Sequence, residues 1–295
     1  MKFDKNKKYI AAVSGGPDSM ALLNKYHKNI IGVCHVNYHK RADSYRDTEI
    51  VVKYCKSKHL KLKVLDVKKS QYKKYKINNF QALARKIRYD FFLKCSKEFK
   101  CKNILMGHNL NDFLETAIMQ KNRKSLNFYY GIKPINTYKD LTIYRPLINE
   151  FKKDLEIYCK KNHIAYAIDS TNALDVYERN RVRKQLNKKT KKQLLNLYKS
   201  IQTRNKRQEL KEKQINKRLT EWKKAKYSLN FFRKSNCKEN LLYLFLKEQN
   251  IQTINHNKID LAKKFLLSQK SNCKLRLEEG IWLQKKNKQM QMYRK

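Results

Sequence analysis

Glycine and proline are scarce here: six glycines and three prolines in 295 residues. That excludes a collagen-like or linker-rich chain, and it makes each glycine that does occur informative. No apolar run approaches the roughly 20 residues of a bilayer-spanning helix; the longest strongly apolar stretch is Leu241–Leu246. A membrane partner is therefore not expected. No apolar signal core follows Met1, so export is not expected and a cytoplasmic location is. The seven cysteines include no Cys-x-x-Cys pair and are odd in number. They read as reduced, mostly buried thiols rather than a disulfide framework or a structural zinc site.

Acidic residues are the other deficit, 25 against 70 basic ones, a formal net charge of +45. Lysine supplies 55 of the basic residues and arginine only 15. That imbalance, with abundant Asn, Ile and Tyr, points to compositional drift as well as to function. Even so, a field of this size attracts polyanions, and nucleic acid is the expected partner class. The charge is densest after residue 180, with 33 basic and 8 acidic residues over 181–295. The hydrophobic content of 41% is enough to build a core, so disorder is excluded.

Short β-branched runs alternate with amphipathic stretches in the first half, the pattern of strand–helix–strand units on a parallel sheet. Strands are predicted at 9–13, 30–36, 62–67, 103–106 and 165–169. Helices are predicted at 20–27, 44–59, 79–99 and 111–120, and from an Asn149 cap to residue 162. Residues 188–226, without Pro or Gly, predict a long basic helix or helical pair. It reads as a solvated connection or as an edge facing RNA. Helices at 239–250 and 257–268 follow, then a small terminal β-structure around Glu279-Gly280.

The most informative segment is Ser14-Gly15-Gly16-Pro17-Asp18-Ser19, between a predicted strand and a predicted helix. Two of the six glycines are spent where the backbone must turn tightly and approach a ligand. Free amides of such a turn, with the helix N-terminus behind them, form an anion site. The serine hydroxyls can donate to phosphate, and Asp18 can orient or share a magnesium ion. The alternative is a plain helix-capping turn. The lysine of a Walker loop and the third glycine of a dinucleotide fingerprint are both missing.

Further segments follow in order: His35-Val36-Asn37 with Arg41; Gln81-Ala82-Leu83-Ala84-Arg85-Lys86-Ile87-Arg88-Tyr89; and Gly107-His108-Asn109-Leu110-Asn111-Asp112-Phe113-Leu114-Glu115-Thr116. Later come Arg145-Pro146-Leu147, Asp169-Ser170-Thr171-Asn172 and Arg179-Asn180-Arg181-Val182-Arg183. Together with the glycine loop they resemble the tRNA(Ile)-lysidine synthetase family of the PP-loop ATP pyrophosphatases, strongly over residues 8–190 and loosely beyond. Three positions depart from the family pattern. Tyr38 stands where a second histidine is usual, Asn111 replaces the first of two adjacent carboxylates, and Glu178 replaces a small or hydroxyl residue before Arg179.

The resemblance implies a doubly wound, mainly parallel α/β sheet of the adenine nucleotide alpha-hydrolase type, with a smaller helical and β C-terminal domain. The expected division is a catalytic domain over 1–205 and a basic tRNA-binding domain over 206–295. The implied reaction uses ATP and magnesium. The O2 oxygen of the wobble cytidine of a tRNA(Ile) with a CAU anticodon attacks the α-phosphate and releases pyrophosphate. The ε-amine of free L-lysine then attacks C2 and displaces AMP, leaving lysidine, which pairs with A instead of G. ATP contacts are expected from Ser14, Gly15, Gly16, Pro17, Asp18, Ser19, His35, Asn37, Gly107 and His108.

Lysine is a poor nucleophile at pH 7, because with a pKa of about 10.4 only roughly 1 in 2,500 molecules is neutral, a cost of about 4.6 kcal/mol. Asp112 and Glu115, at i and i+3 on one helix face, are the expected holders of the ammonium and acceptors of its proton. Their alternative is a surface or capping pair. Each histidine is either a ligand-facing group or a satisfied buried imidazole. Arg85 and Arg88, one turn apart, meet phosphates or the flipped base, or else pair with the protein's few acids. Arg179, Arg181 and Arg183 are expected to stabilise charge or hold the tRNA backbone, with Arg41 beside them and Arg183 favoured for catalysis. The sequence leaves the oligomeric state open, a homodimer being one expectation. The rival readings are a PP-loop tRNA thiolase, an amidating synthetase of the GMP or NAD type, and a non-catalytic RNA-binding protein with a relic loop.

Overall fold

A computed structural model describes residues 4–39, 43–68, 70, 72, 79–123, 126–168, 178–249, 251 and 254–294. Its contacts divide the chain into two compact units. Unit 1 comprises 1–116 and 131–190, and unit 2 comprises 117–130 and 191–295.

Unit 1 is built on six strands: β1 (Tyr9–Val13), β2 (Ile30–Asn37), β3 (Leu62–Asp66), β4 (Asn103–Met106), β5 (Ile135–Tyr138) and β6 (Leu141–Tyr144). Their order is β3-β2-β1-β4-β6-β5, parallel throughout except for the β5–β6 hairpin. The helices are α1 (Pro17–Tyr26), α2 (Tyr45–Ser57), α3 (Phe80–Glu98), α4 (Leu110–Asn122), α5 (Lys152–Lys161) and α6 (Glu178–Asn187). α4 begins in unit 1 and ends in unit 2.

β1 is central, and its sequence Tyr-Ile-Ala-Ala-Val is covered on both faces, as a middle strand of a parallel sheet requires. Period-two alternation divides its side chains. Tyr9, Ala11 and Val13 pack with Met20, Leu22, Val51, Leu155 and Cys159 on the α1, α2 and α5 face. Ile10 packs with Tyr89, Phe92 and Cys95 of α3 on the other. The strand order reverses between β1 and β4, so the loops leaving the C-terminal ends of these neighbours open a crevice, the place where open parallel sheets bind ligands.

The strands and helices expected up to residue 120 are present. Asn79 caps α3, its side chain accepting from the amides of Gln81 and Ala82. Two expectations are corrected and two further elements are found. Asn149 does not cap α5: that helix starts at Lys152, and Asn111 supplies the side-chain acceptor from α4, its Oδ1 taking the Lys152 amide at 3.1 Å. Residues 165–168 form no strand, although the Ala167 amide bonds the Gly15 carbonyl at 2.9 Å and braces the glycine loop. The β5–β6 hairpin and α6 lie where the sequence predicts neither strand nor helix.

Unit 2 contains α7 (Lys191–Lys224), α8 (Leu229–Lys234), α9 (Lys238–Glu248), α10 (His256–Leu267) and an antiparallel meander of β7 (Lys274–Glu278), β8 (Ile281–Lys286) and β9 (Gln289–Arg294). The basic stretch is thus one helix of 34 residues. The expected boundary at 205/206 falls inside α7, whose Ile215, Leu219 and Trp222 belong to the unit 2 core. Trp222 stacks on Phe232 at 5.3 Å and meets Phe245 edge-on at 5.8 Å. The 117–130 segment joins this unit through Phe128 and through buried Asn205, whose amide exchanges two 2.8 Å bonds with the backbone of Tyr130.

Candidate active site

The segment Ser14–Ser19 leaves β1 and enters α1 within three residues. Gly15 sits at φ +88°, a conformation side chains disfavour, and a methyl group there would meet Asp47 at 3.0 Å. Gly16 is the helix N-cap and makes no side-chain cap bond, and Pro17 fills the first helical position, where its missing N–H costs nothing. The amides of the first turn of α1 therefore remain available to an anion. Ser19 organises the loop: its hydroxyl donates to the Gly16 carbonyl at 2.9 Å, accepts the Ser14 amide at 3.1 Å and lies 3.2 Å from Ser14 Oγ.

Opposite the loop, β4 ends in Gly107 and His108. A Cβ at Gly107 would lie 3.0 Å from the Asp18 carbonyl oxygen and 3.1 Å from Ser19 Cα, so only glycine lets the end of β4 approach the first turn of α1 this closely. Between them opens a cavity of about 280 Å³. Cys34, Val36, Phe92 and Met106 form apolar walls, and Ser14, Asp18, Arg88 and His108 supply the polar rim.

His108 is a neutral donor. Burial first, then the nearby Arg145, Arg88, Arg179 and Arg85, push its pKa down to about 3. Arg145 Nε donates to His108 Nδ1 at 3.2 Å, which leaves the ring proton on Nε2. Arg145 is itself buried and is held by the Lys133 carbonyl and Asn136 Oδ1. Arg88 Nε donates to the Tyr38 hydroxyl at 3.2 Å, and that hydroxyl donates to the Ala84 carbonyl at 2.9 Å. Arg85 lies over the Tyr89 ring, with its cationic carbon 4.7 Å from the centroid. Among the described residues neither Arg85 nor Arg88 forms an ion pair with an acid, and Arg88, which lines the cavity, keeps its cationic side open to an anionic ligand.

Asp18 belongs both to the cavity and to an acidic group beside it. Burial first, then the charge of Asp112, raise its carboxyl from 3.8 to about 7, against the opposite pull of Lys152 and the Asn109 amide. Its Oδ1 is buried without a hydrogen-bond partner. A shielded carboxylate oxygen that lacks a donor and faces a second acid is what a hard divalent cation would satisfy, the remaining ligands being phosphate and water oxygens. Asp112 and Asn109 form a reciprocal cap at the start of α4, each accepting the other's amide, at 3.1 and 3.0 Å. That occupies Asp112 Oδ2 and leaves Oδ1 facing Arg179 Nη2 at 3.5 Å.

Glu115 is 2% exposed and engaged on both oxygens. Arg179 Nε donates to Oε2 at 2.8 Å and Arg183 Nε to Oε1 at 2.9 Å. Because α6 is a helix, Arg179 and Arg183 share a face at i and i+4, while Arg181 points to solvent. Strand parity similarly turns His35 and Asn37 away from the cavity. His35 Nδ1 donates to the Val13 carbonyl at 2.9 Å, and its Nε2 accepts the Thr48 hydroxyl at 3.0 Å. Asn37 contacts Thr48 and accepts the His39 amide. Both are satisfied buried groups that brace β2 against α2. Arg41 and the Asp169–Asn172 segment lie outside the described residues.

Residues 1–190 match the PP-loop domain family. The tRNA(Ile)-lysidine synthase of Ureaplasma parvum is 43% identical over 94% of this chain and 85% of its own length. That of Malacoplasma penetrans is 43% identical over 96% and 97%. The chain belongs to the tRNA(Ile)-lysidine synthase family. The Mycoplasmopsis pulmonis member is 36% identical over 97% of this chain and 99% of its own. Among solved structures, the U34-tRNA thiolase of Methanococcus maripaludis aligns with a TM-score of 0.55 at 20% identity, over 69% of this chain and 72% of that one. That likeness is one of fold, in keeping with the doubly wound sheet.

Two site features escape the sequence reading. Arg145 is visible in its Arg-Pro-Leu segment, but nothing local links it to His108. Tyr38, a departure from the family pattern, forms a cavity wall. The signal that could have found Arg145 is arginine's rarity. In a chain drifting to lysine, the arginines that persist mark places needing a planar, multiply donating cation, and Arg85, Arg88, Arg145, Arg179 and Arg183 all gather at this site.

Proposed function

We propose that this chain ligates free L-lysine to C2 of the wobble cytidine of a CAU-anticodon tRNA(Ile), consuming ATP to AMP and pyrophosphate. The observation that carries the reading is the cavity joining the Ser14–Ser19 anion loop to a neutral histidine donor and to Arg88, which pairs with no acid among the described residues. The identity to lysidine synthases over nearly the whole chain supports it.

In this reading the loop amides and serine hydroxyls take the triphosphate, and the apolar walls of Cys34, Val36, Phe92 and Met106 take the adenosine. Asp18, with Asp112 in electrostatic reach, would hold magnesium, which supplies charge neutralisation for the departing pyrophosphate. The cytosine O2 attacks the α-phosphate, and His108 Nε2–H donates to oxygen on which negative charge develops. Lysine then attacks C2 and AMP leaves. Asp112, through its less committed Oδ1, is the residue best placed to hold the lysine ammonium. Glu115 is already engaged by two guanidiniums, and its role is to hold Arg179 and Arg183 extended toward the leaving phosphate. The sequence expectation that Asp112 and Glu115 act as equals is thereby divided into two tasks.

The test is incorporation of labelled lysine into transcripts of the CAU isoleucine tRNA and of elongator methionine tRNA. ATP-dependent label in the first alone is expected. AMP release with no label would replace lysine by another nucleophile, and no AMP at all would refute the enzyme reading.

A further inference from the structure

Lys285, on β8, is 1% exposed and has no carboxylate partner among the described residues. Two other shielded lysines of unit 2 do have one: Lys258 pairs with Glu278 at 2.6 Å, and Lys263 pairs with Glu239 and Asp260. The Lys285 ammonium instead donates to the Ser268 carbonyl and hydroxyl, each at 2.8 Å, at the end of α10. The Phe265 ring also lies under the ammonium, its centroid 5.3 Å away; a helix C-terminus and a ring face are partial charges, so no full negative charge faces this cation among the described residues.

Beside Lys285 lies a cavity of about 260 Å³. Arg233, Lys270, Lys286 and Lys288 line it with Lys285, and among the described residues no acidic one does. Arg233 Nη2 donates to the same Ser268 carbonyl at 3.4 Å, so two cations converge on one oxygen. Asn272, Asn287 and Lys288 take left-handed backbone conformations that form the tight rim. Among the described residues no aromatic side chain lines the cavity, so they offer no surface on which a base could stack.

We infer that this cavity is a phosphate site that seats one backbone phosphodiester of the RNA substrate, an inference that rests on the reading of the chain as a tRNA-modifying enzyme. The bare cationic lining selects backbone over base, and the phosphate supplies the counter-charge that Lys285 lacks.

The experiment is phosphate-ethylation interference on end-labelled tRNA(Ile) transcript binding to the full chain, without ATP or lysine. The parent is compared with an Arg233→Gln/Lys288→Gln variant, both positions being exposed, and with Lys285→Met checked by thermal melting. Ethylation at one phosphate, or at two neighbours, should weaken binding to the parent several-fold and lose its effect in the double variant. The slope of log affinity against log salt should fall by about one. An unchanged interference map overturns the inference, whether affinity is intact or uniformly weaker. A Lys285→Met protein that melts earlier but keeps the parent map also overturns it, leaving Lys285 as a cap of α10. Because binding is read without catalysis, a parent that binds tRNA and transfers no lysine would refute the proposed reaction and leave this result readable.

Discussion

The buried carboxyl of Asp18 makes stability depend on pH in the sense opposite to that of an ion-paired acid. Its pKa is about 7 in the fold against an ordinary 3.8. Between these values the folded chain keeps a proton that the unfolded chain releases, so stability falls as pH rises from about 4 to about 7. At about 1.4 kcal/mol per pKa unit the full effect is about 4 kcal/mol, of which about 2.5 kcal/mol lies between pH 5 and pH 8. Partial solvent access lowers that figure, and half of it remains measurable. His108 and His35 act the other way: both are held neutral by burial, so their contribution grows as pH rises toward 6.5. The raw melting curve therefore mixes signs, and the difference between the parent and Asp18→Asn isolates the carboxyl. Melting midpoints at pH 5, 6.5 and 8 should show the variant gaining several degrees on the parent toward pH 8, at about 2–4 °C per kcal/mol. Magnesium with ATP should restore the parent alone. Identical pH dependence in the two proteins would refute the buried, uncompensated state of Asp18.

Arg145→Met should let the His108 pKa rise from about 3 while burial, the larger cause, still holds it below its ordinary value, so the acid limb of AMP formation should shift to higher pH than in the parent; profiles that superimpose after scaling would exclude the contact's role. Gly107→Ala places a methyl against Asp18 and Ser19 backbone and should lower adenylation by about 100-fold while melting remains cooperative. Asp112→Asn should raise the KM for lysine by a larger factor than it slows AMP release, whereas Glu115→Gln should lower both steps by about 100-fold or more, since it releases two arginines at once; equal behaviour would undo the division of roles. Arg181→Ala should stay within about twofold of the parent in AMP release while Arg183→Ala loses about 100-fold, a contrast that follows from their positions on α6.

The strand–helix alternation through residue 120 was legible because each element carries its own hydrophobic period, and Asn79 announces the start of α3 chemically. The β5–β6 hairpin was not, because β5 is an edge strand with alternately exposed residues and no continuous apolar run to mark it. α6 escaped because its three arginines suggest alternation, and only a helix separates Arg179 and Arg183 from Arg181. Among the site residues, the glycine loop was read from local necessity. His35 and His108 look alike in sequence, and their fates diverge because one side chain turns toward α2 and the other into the crevice.

Sequence alone determined the α/β class and the glycine loop and pointed to a polyanion partner, since these rest on period, glycine placement and net charge, which are properties of neighbouring residues or of the chain as a whole. The tertiary structure decided which acids are free and which are spent, which histidine donates, and which lysine is buried without a counter-charge. Those outcomes depend on burial and on partners far apart in the chain, such as Glu115 with Arg183 and Lys285 with Ser268, and desolvation acts only once the fold has brought them together.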